Sequence, residues 1–292
     1  MNTIPAIDWK RTDALIALAL EEDLGEAGDV TTNSVIPENL VTDAVFLAKE
    51  DLVCAGLPVA ERLFRTLDPA IRWEALVKEG DFCPKGTLMA KVHGPARVLL
   101  TGERTALNFL QRLCGVATAS KKYQDAAGSS CRILDTRKTT PGWRNLEKYA
   151  VAVGGAFNHR IGLYDRVMIK DNHRELAGLE GAGGITRSVE RARKMYPGLE
   201  IEVEVDSLTE LAEAVETGAE YILLDNMSDE MMAEAVKFVH GRSKLEASGG
   251  ITLARIPSAA KTGVDFISSG ALTHSVKSSD ISMDIQLHGG EK

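Results

Sequence analysis

Two stretches of this 292-residue chain concentrate groups that bind anions. Asp135-Thr-Arg-Lys-Thr-Thr-Pro-Gly142 and Asn158-His-Arg-Ile-Gly162 place Thr136, Arg137, Lys138, His159 and Arg160 in short segments. Arg137 and Arg160 can each hold a carboxylate through paired bonds, at about 1.5–3 kcal/mol per charged hydrogen bond. With Lys138, Lys170 and His159 they predict a pocket for a dianion and a phosphorylated co-substrate. A loop histidine without chemistry is the alternative for His159. A second set is acidic. In Ile201-Glu-Val-Glu-Val205 the valines and isoleucine share one face, and Glu202 and Glu204 share the other. A parallel strand is normally apolar on both faces. These carboxylates therefore point into a barrel and need a partner: Lys170, a metal ion or sugar hydroxyls. A structural ion pair is the plainer reading, more so for Glu202 than for Glu204, which lies nearer the strand end. Asp225 ends the run Tyr-Ile-Leu-Leu. At the level of Glu204 on the adjacent strand it supplies a second carboxylate for Mg²⁺ or ribose hydroxyls; alone it would cap a helix. The third set is glycine-rich. Ser248-Gly-Gly-Ile-Thr252 and Ser268-Ser-Gly-Ala-Leu272 offer Ser248, Gly249, Gly250, Ser269 and Gly270. Backbone N–H groups there can close on a phosphate, unless these are ordinary turns.

These groups need strands to carry them. After residue 130, short apolar runs recur at 132–135, 166–169, 201–205, 221–225, 244–247 and 264–267, each followed by a helix-length segment. The spacing of about 22 residues is one strand, one helix and two short loops. Such units imply parallel strands with right-handed crossovers. No Gly-rich dinucleotide fingerprint follows the first strand and no Walker loop is present, which favours a (β/α) barrel over an open doubly wound sheet. The polar groups fall at the C-terminal strand ends, where barrels keep their sites, and the two glycine loops follow the last two strands, where barrels bind phosphate.

The first half is different. Residues 12–23 predict a helix capped by Thr12 or Asp13, with Leu15, Ile16 and Leu18 on its apolar face and Gly25 as its stop. Strands are expected at 44–49, 71–77 and 87–92, with a helix at 58–67. Helical periodicity then runs from 96 to 127, with a break expected at Gly115. This half reads as a small sheet packed with helices, an α+β sandwich ending near residue 115.

Composition sets the limits. Hydrophobic residues at 44% and charged residues at 26% exclude a disordered, collagen-like or rod-like chain. No uncharged run approaches the ~20 residues of a membrane helix, and no signal peptide is apparent. The formal charge is −8, yet 132–174 holds nine basic and four acidic residues, so this segment is +5 and the remainder −13. A net acidic chain is a poor binder of nucleic acid or anionic membranes, and a cationic island within it suits a small polyanion, unless it is only a solvated basic face. The four cysteines have no metal or redox spacing, which fits reduced thiols and a cytoplasmic location.

Several motifs together resemble the quinolinate phosphoribosyltransferase family. They are Asp135-Thr-Arg-Lys-Thr-Thr-Pro-Gly142, Asn158-His-Arg-Ile-Gly-Leu-Tyr-Asp165, Ile169-Lys-Asp-Asn-His173, Glu202-Val-Glu-Val205, Leu224-Asp-Asn226, Glu246-Ala-Ser-Gly-Gly-Ile-Thr252 and Val264-Asp-Phe-Ile-Ser268. Glu21-Glu-Asp-Leu-Gly25, Gly28-Asp-Val-Thr-Thr32 and Glu103-Arg-Thr-Ala-Leu-Asn-Phe-Leu110 extend the resemblance to the first half. It implies an α/β fold: an N-terminal α/β sandwich (1–115), an open irregular (β/α) barrel (116–274) and a C-terminal segment (275–292) packing back on the sandwich. It implies transfer of phosphoribosyl from 5-phosphoribosyl 1-pyrophosphate to quinolinate with decarboxylation, as in NAD synthesis. It implies Arg104, Arg137 and Arg160 on the substrate carboxylates, and Lys138, His159 and Lys170 facing substrate or pyrophosphate. Glu204 and Asp225 would hold ribose and Mg²⁺, directly or through water or substrate. Ser248, Gly249, Gly250, Ser269 and Gly270 would line the 5′-phosphate pocket, with Thr136 also at the substrate. Lys138, Lys170, Glu204 and Asp225 form the implied catalytic set. The implied assembly is a homodimer or a larger set of dimers, with Arg104 acting in trans. Competing readings are the paralogous family associated with molybdenum transport, a lyase forming a Schiff base at Lys170, and a non-catalytic phosphosugar-binding module.

Overall fold

The computed structural model describes residues 4–286. The chain forms two compact units. Among the described residues, one comprises 4–121, 140–155 and 276–286, and the other 122–139 and 156–275. This division departs from the expected 1–115 and 116–274. Residues 140–155 join the first unit, and the last described strand, Ile281–Gln286, pairs antiparallel with Val41–Ala48 in that unit. The rest of the expected C-terminal segment, 287–292, lies outside the described residues.

In the first unit a four-stranded antiparallel sheet runs in the order Ile281–Gln286, Val41–Ala48, Leu88–Pro95, Arg72–Ala75. Val41–Ala48 alternates buried and less buried positions, as expected of a sheet with one face on a core. Phe46 from this sheet meets Phe64 of the helix Leu57–Leu67 and Trp73, at ring-centroid separations of 6.2 and 5.4 Å. The first helix is Trp9–Leu24, longer than expected, and its cap is Asp8, whose carboxylate accepts from the Arg11 N–H. The earlier start selects Thr12, Ile16 and Leu20 as the buried stripe, four residues apart, and leaves Leu18 60% exposed.

No break occurs at Gly115. The helix Ala96–Ala127 passes through it, and a Cβ at that position would lie 2.3 Å from the Lys277 carbonyl oxygen. This glycine permits close approach of backbone; it does not end a helix.

The second unit is built on six parallel strands in the order Arg132–Leu134, Phe266–Ser268, Lys244–Ser248, Tyr221–Asp225, Ile201–Val205, Val167–Ile169. Phe157 extends the edge of the first strand through a parallel bridge to Leu134. A flat sheet of six strands would hold its edge strands roughly 24 Å apart. Here residues following both edge strands line one cavity, so the sheet is rolled into an open barrel. The strand Tyr221–Asp225 shows the usual pattern: Ile222, Leu223 and Leu224 are all buried, so both of its faces are covered, as a parallel sheet packed against helices requires. The glutamates of Ile201–Val205 are the exception.

Candidate active site

The C-terminal strand ends open into a cavity of about 870 Å³. Thr136, Arg137 and Lys138 reach it from the loop after Arg132–Leu134, and His159 and Arg160 from the segment beyond Phe157. Lys170, Glu204, Asp225 and Ser248 line it from successive strand ends, with Gly249, Gly250, Ser269 and Gly270 beside them. Arg104 is not among the lining residues; it is exposed on the helix Ala96–Ala127.

Asp135, fully buried at the end of its strand, organises the cationic side. Its carboxylate accepts from Asn158 Nδ2 and from the His159 N–H, both at 2.8 Å. Arg160 is 8% exposed, and one guanidinium nitrogen donates to the Arg166 carbonyl at 3.0 Å. Burial, and next the charge of Arg137, hold the Arg160 guanidinium below its ordinary value. Two guanidinium groups repelling each other in a partly enclosed space are a site for a polyanion. On the Lys138 side, the Lys138 N–H donates to Thr136 Oγ1 at 3.0 Å and its carbonyl accepts from Thr273 Oγ1 at 2.7 Å, which fixes the loop.

Lys170 Nζ donates to Glu204 Oε2 at 3.1 Å, one of the three kinds of partner expected for the inward carboxylates. An ammonium held by a carboxylate is a poor nucleophile, which weighs against a Schiff base at Lys170. Asp225 does not stand level with Glu204. The parallel register pairs Glu204 with Leu223 and Asp225 with Ser248, so Asp225 lies two residues further toward the mouth. Both still face the same side, because side chains alternate with period two. The Asp225 carboxylate accepts from Asn226 Nδ2 at 2.7 Å. Asn226 is left-handed at φ 55°, and its side chain crowds Gly249, where a Cβ would lie 2.2 Å from Asn226 Oδ1. Gly249, itself at φ 86°, is therefore required on two counts.

The neighbours of Glu202 among the described residues do not include Lys170. Glu202 is 0% exposed, and its Oε2 lies 2.9 Å from His159 Nε2. Glu246, 1% exposed, approaches the same nitrogen at 3.5 Å, and Arg166 stands 3.5 Å from Glu202. Burial and the Glu202 charge push the Glu246 carboxyl up. Burial opposes the Glu202 charge too, but the imidazole outweighs it and keeps that carboxyl low. For His159, burial acts downward, and the two carboxylates carry the ring up to about 9. The Arg160 N–H opposes that second proton, because it donates to His159 Nδ1 at 2.7 Å and needs a lone pair there. That contact selects the neutral ring with its proton on Nε2, facing Glu202. His159 thus commits Nδ1 to the backbone, while Nε2 stands within ion-pair distance of both carboxyl groups and the ring borders the cavity.

Sequence reasoning missed Glu246 as a site residue, although it stands two residues before Ser248 on an inward position. A charged residue inside an apolar parallel strand was the available signal, the same one that exposed Glu202. His274, Tyr123 and Asn226 also line the cavity and were not anticipated.

Residues 116–284 match the family description "Quinolinate phosphoribosyl transferase, C-terminal domain", and residues 29–114 match the corresponding N-terminal domain. The chain is 44% identical over 300 residues to the chloroplastic carboxylating nicotinate-nucleotide pyrophosphorylase of Arabidopsis thaliana, covering 96% of this chain and 84% of that protein. It is 43% identical to the probable carboxylating nicotinate-nucleotide pyrophosphorylase of Bacillus subtilis, covering 91% and 90%. Among solved structures, the nicotinate-nucleotide pyrophosphorylase of Francisella tularensis superposes with a TM-score of 0.91 at 37% identity, covering 98% of this chain and 100% of that one. NadC from Streptococcus pyogenes gives 0.91 at 39%, covering 97% and 99%. Identity at this level across both domains leaves one assignment: the chain belongs to the quinolinate phosphoribosyltransferase family.

Proposed function

We infer that this chain transfers the phosphoribosyl group of 5-phosphoribosyl 1-pyrophosphate to quinolinate with loss of one carboxyl group. The products are nicotinate mononucleotide, pyrophosphate and carbon dioxide. The observation that carries the reading is the pairing of Arg137 with buried Arg160 in one cavity that also holds the Lys170–Glu204 pair.

The residue roles follow from charge and place. Arg137 and Arg160 take the two carboxylates of quinolinate and draw the dianion against the donor, which it would repel in water. Lys138 and Lys170 face the departing pyrophosphate and stabilise its growing charge. Glu204 and Asp225 face the ribose, where their charge favours the oxocarbenium-like carbon. Ser248, Gly249, Gly250, Ser269 and Gly270 cradle the 5′-phosphate, with Thr136 beside it. Glu204 and Asp225 are hard oxygen donors lining one cavity, a set that suits Mg²⁺. Mg²⁺ carried in with the donor would neutralise charge on the pyrophosphate. Arg104, exposed on its helix, is proposed to complete the carboxylate site of a second copy in a homodimer. The proposed compartment is the cytoplasm, supported by four free, buried cysteines. Among the described residues no helix is long and apolar enough to cross a membrane.

The test is turnover. Purified protein with quinolinate, the phosphoribosyl donor and Mg²⁺ should release nicotinate mononucleotide and carbon dioxide in equal amounts. A folded sample that yields neither product rejects the function.

A further inference from the structure

Under the cavity, three ionisable groups from distant parts of the chain meet. His159 follows the edge of the first barrel strand; Glu246 is on the third strand in spatial order and Glu202 on the fifth. The ring nitrogen Nε2 stands 2.9 Å from Glu202 and 3.5 Å from Glu246, and all three residues are buried. Their contacts cross the barrel interior. The same short segment is gripped twice more. Asp135 holds Asn158 and the His159 N–H, and His159 Nδ1 accepts from the Arg160 N–H.

We propose that Glu202 and Glu246 are positioning residues for the carboxylate-binding arginine Arg160, acting through the His159 ring that they pin from beneath. The proposal rests on the transferase reading for the role of Arg160. The physical argument is one of lost freedom. A guanidinium on a long side chain aims well only if its backbone is fixed, and here the peptide preceding Arg160 is held at its N–H, at the neighbouring N–H and through the imidazole. Neither carboxylate needs to touch substrate. Burying two carboxyl groups and an imidazole is costly, and what offsets it here is their close approach to one another, at 2.9 and 3.5 Å from Nε2. A trio of this composition could also bind a divalent metal, because two carboxylates and an imidazole lie within 4.8 Å of one another.

The experiment compares Glu246→Leu with Glu246→Gln in the full chain. Glu246→Leu removes the polar contact while retaining bulk. It should raise KM for quinolinate at least tenfold, with KM for the phosphoribosyl donor within twofold of wild type. Glu246→Gln keeps the shape and a polar group beside Glu202 and the imidazole, and should recover to within threefold. Equal movement of both KM values, or an unchanged quinolinate KM in Glu246→Leu, overturns the proposal. Should Glu246→Leu fail to fold, ring ¹⁵N spectra decide. With His159→Asn to assign the signal, wild type and Glu246→Gln should both show a neutral His159 ring protonated at Nε2. A ring protonated at Nδ1 refutes the pinned geometry. Stoichiometric metal in the purified protein, lost on Glu246→Leu, refutes it as well. Because the spectra need no turnover, an inactive wild type with a pinned ring condemns the functional assignment and spares the geometry.

Discussion

Each unit buries carboxylates, and the two use them differently. In the first unit, Glu147 is 0% exposed and fully answered: Arg112 donates two nitrogens at 2.6 and 3.1 Å, and Thr140 donates its N–H at 3.0 Å and its hydroxyl at 2.9 Å. Glu79 accepts from the N–H groups of Gly56 and Leu57 at 2.7 and 3.0 Å and from Tyr149 at 2.7 Å, and so caps the helix Leu57–Leu67. These groups are not among the residues lining the barrel cavity; they lock loops to helices. In the barrel, Glu202 and Glu246 share an imidazole, Glu204 shares Lys170, and Glu204 and Glu246 line the open space. Burial alone does not mark a functional carboxylate. Incomplete pairing next to a cavity does, because a ligand can supply what the protein leaves out.

The comparison can be broken by substitution, taking the largest effect first. Glu147→Ala strands the Arg112 charge in a partly buried site. It should destabilise the protein by about 3–5 kcal/mol, the cost of breaking a buried pair, while the kcat of the remaining folded protein stays near wild type. Urea unfolding with parallel assays measures both, and a loss of activity without a loss of stability would erase the distinction between the units. Arg137→Ala should do the reverse. Loss of charged hydrogen bonds to a carboxylate at about 1.5–3 kcal/mol each should weaken quinolinate binding at least tenfold in titration calorimetry, with the melting temperature held within a few degrees. Equal affinity in the variant would remove Arg137 from the site.

The smallest effect sharpens the comparison through pH. Asp29 caps the helix Val30–Val35, accepting from the Thr32 N–H at 2.9 Å and from Thr101 Oγ1 at 3.1 Å. The bonds from Thr32 hold its carboxyl below the ordinary value. A lowered carboxyl stabilises the fold above the unfolded value, about 3.9, and the gain is lost as pH falls through the lowered one. Asp29→Ala should cost about 1 kcal/mol at neutral pH, and the gap from wild type should shrink below pH 4. A gap of constant size in denaturation curves from pH 7 to 3 would show that the charge contributes nothing.

Much of the site was legible locally. Thr136 to Lys138, Lys170, Glu204, Asp225 and the glycines of 249–250 and 270 all lie at strand ends that the apolar runs located to within two residues. Differences arise where a neighbour in space intervenes. The first helix starts earlier than its apolar pattern implies, because the cap Asp8 lies outside that pattern. Gly115 reads as a terminator because its contact, Lys277, is over 160 residues away. Periodicity sets Asp225 level with Glu204 because it gives a facing direction and not a register.

What the order of residues determined by itself was the kind of each element, the repeating strand and helix of the barrel, and which side chains point inward. All of these depend on neighbours a few positions apart, through the periods of two and 3.6 that backbone geometry imposes. What only the tertiary structure decided was who meets whom. His159, Glu202 and Glu246 come together only when a six-stranded sheet rolls so that side chains reach across its interior. That curvature belongs to the packed sheet as a whole, and no local stretch of residues encodes it.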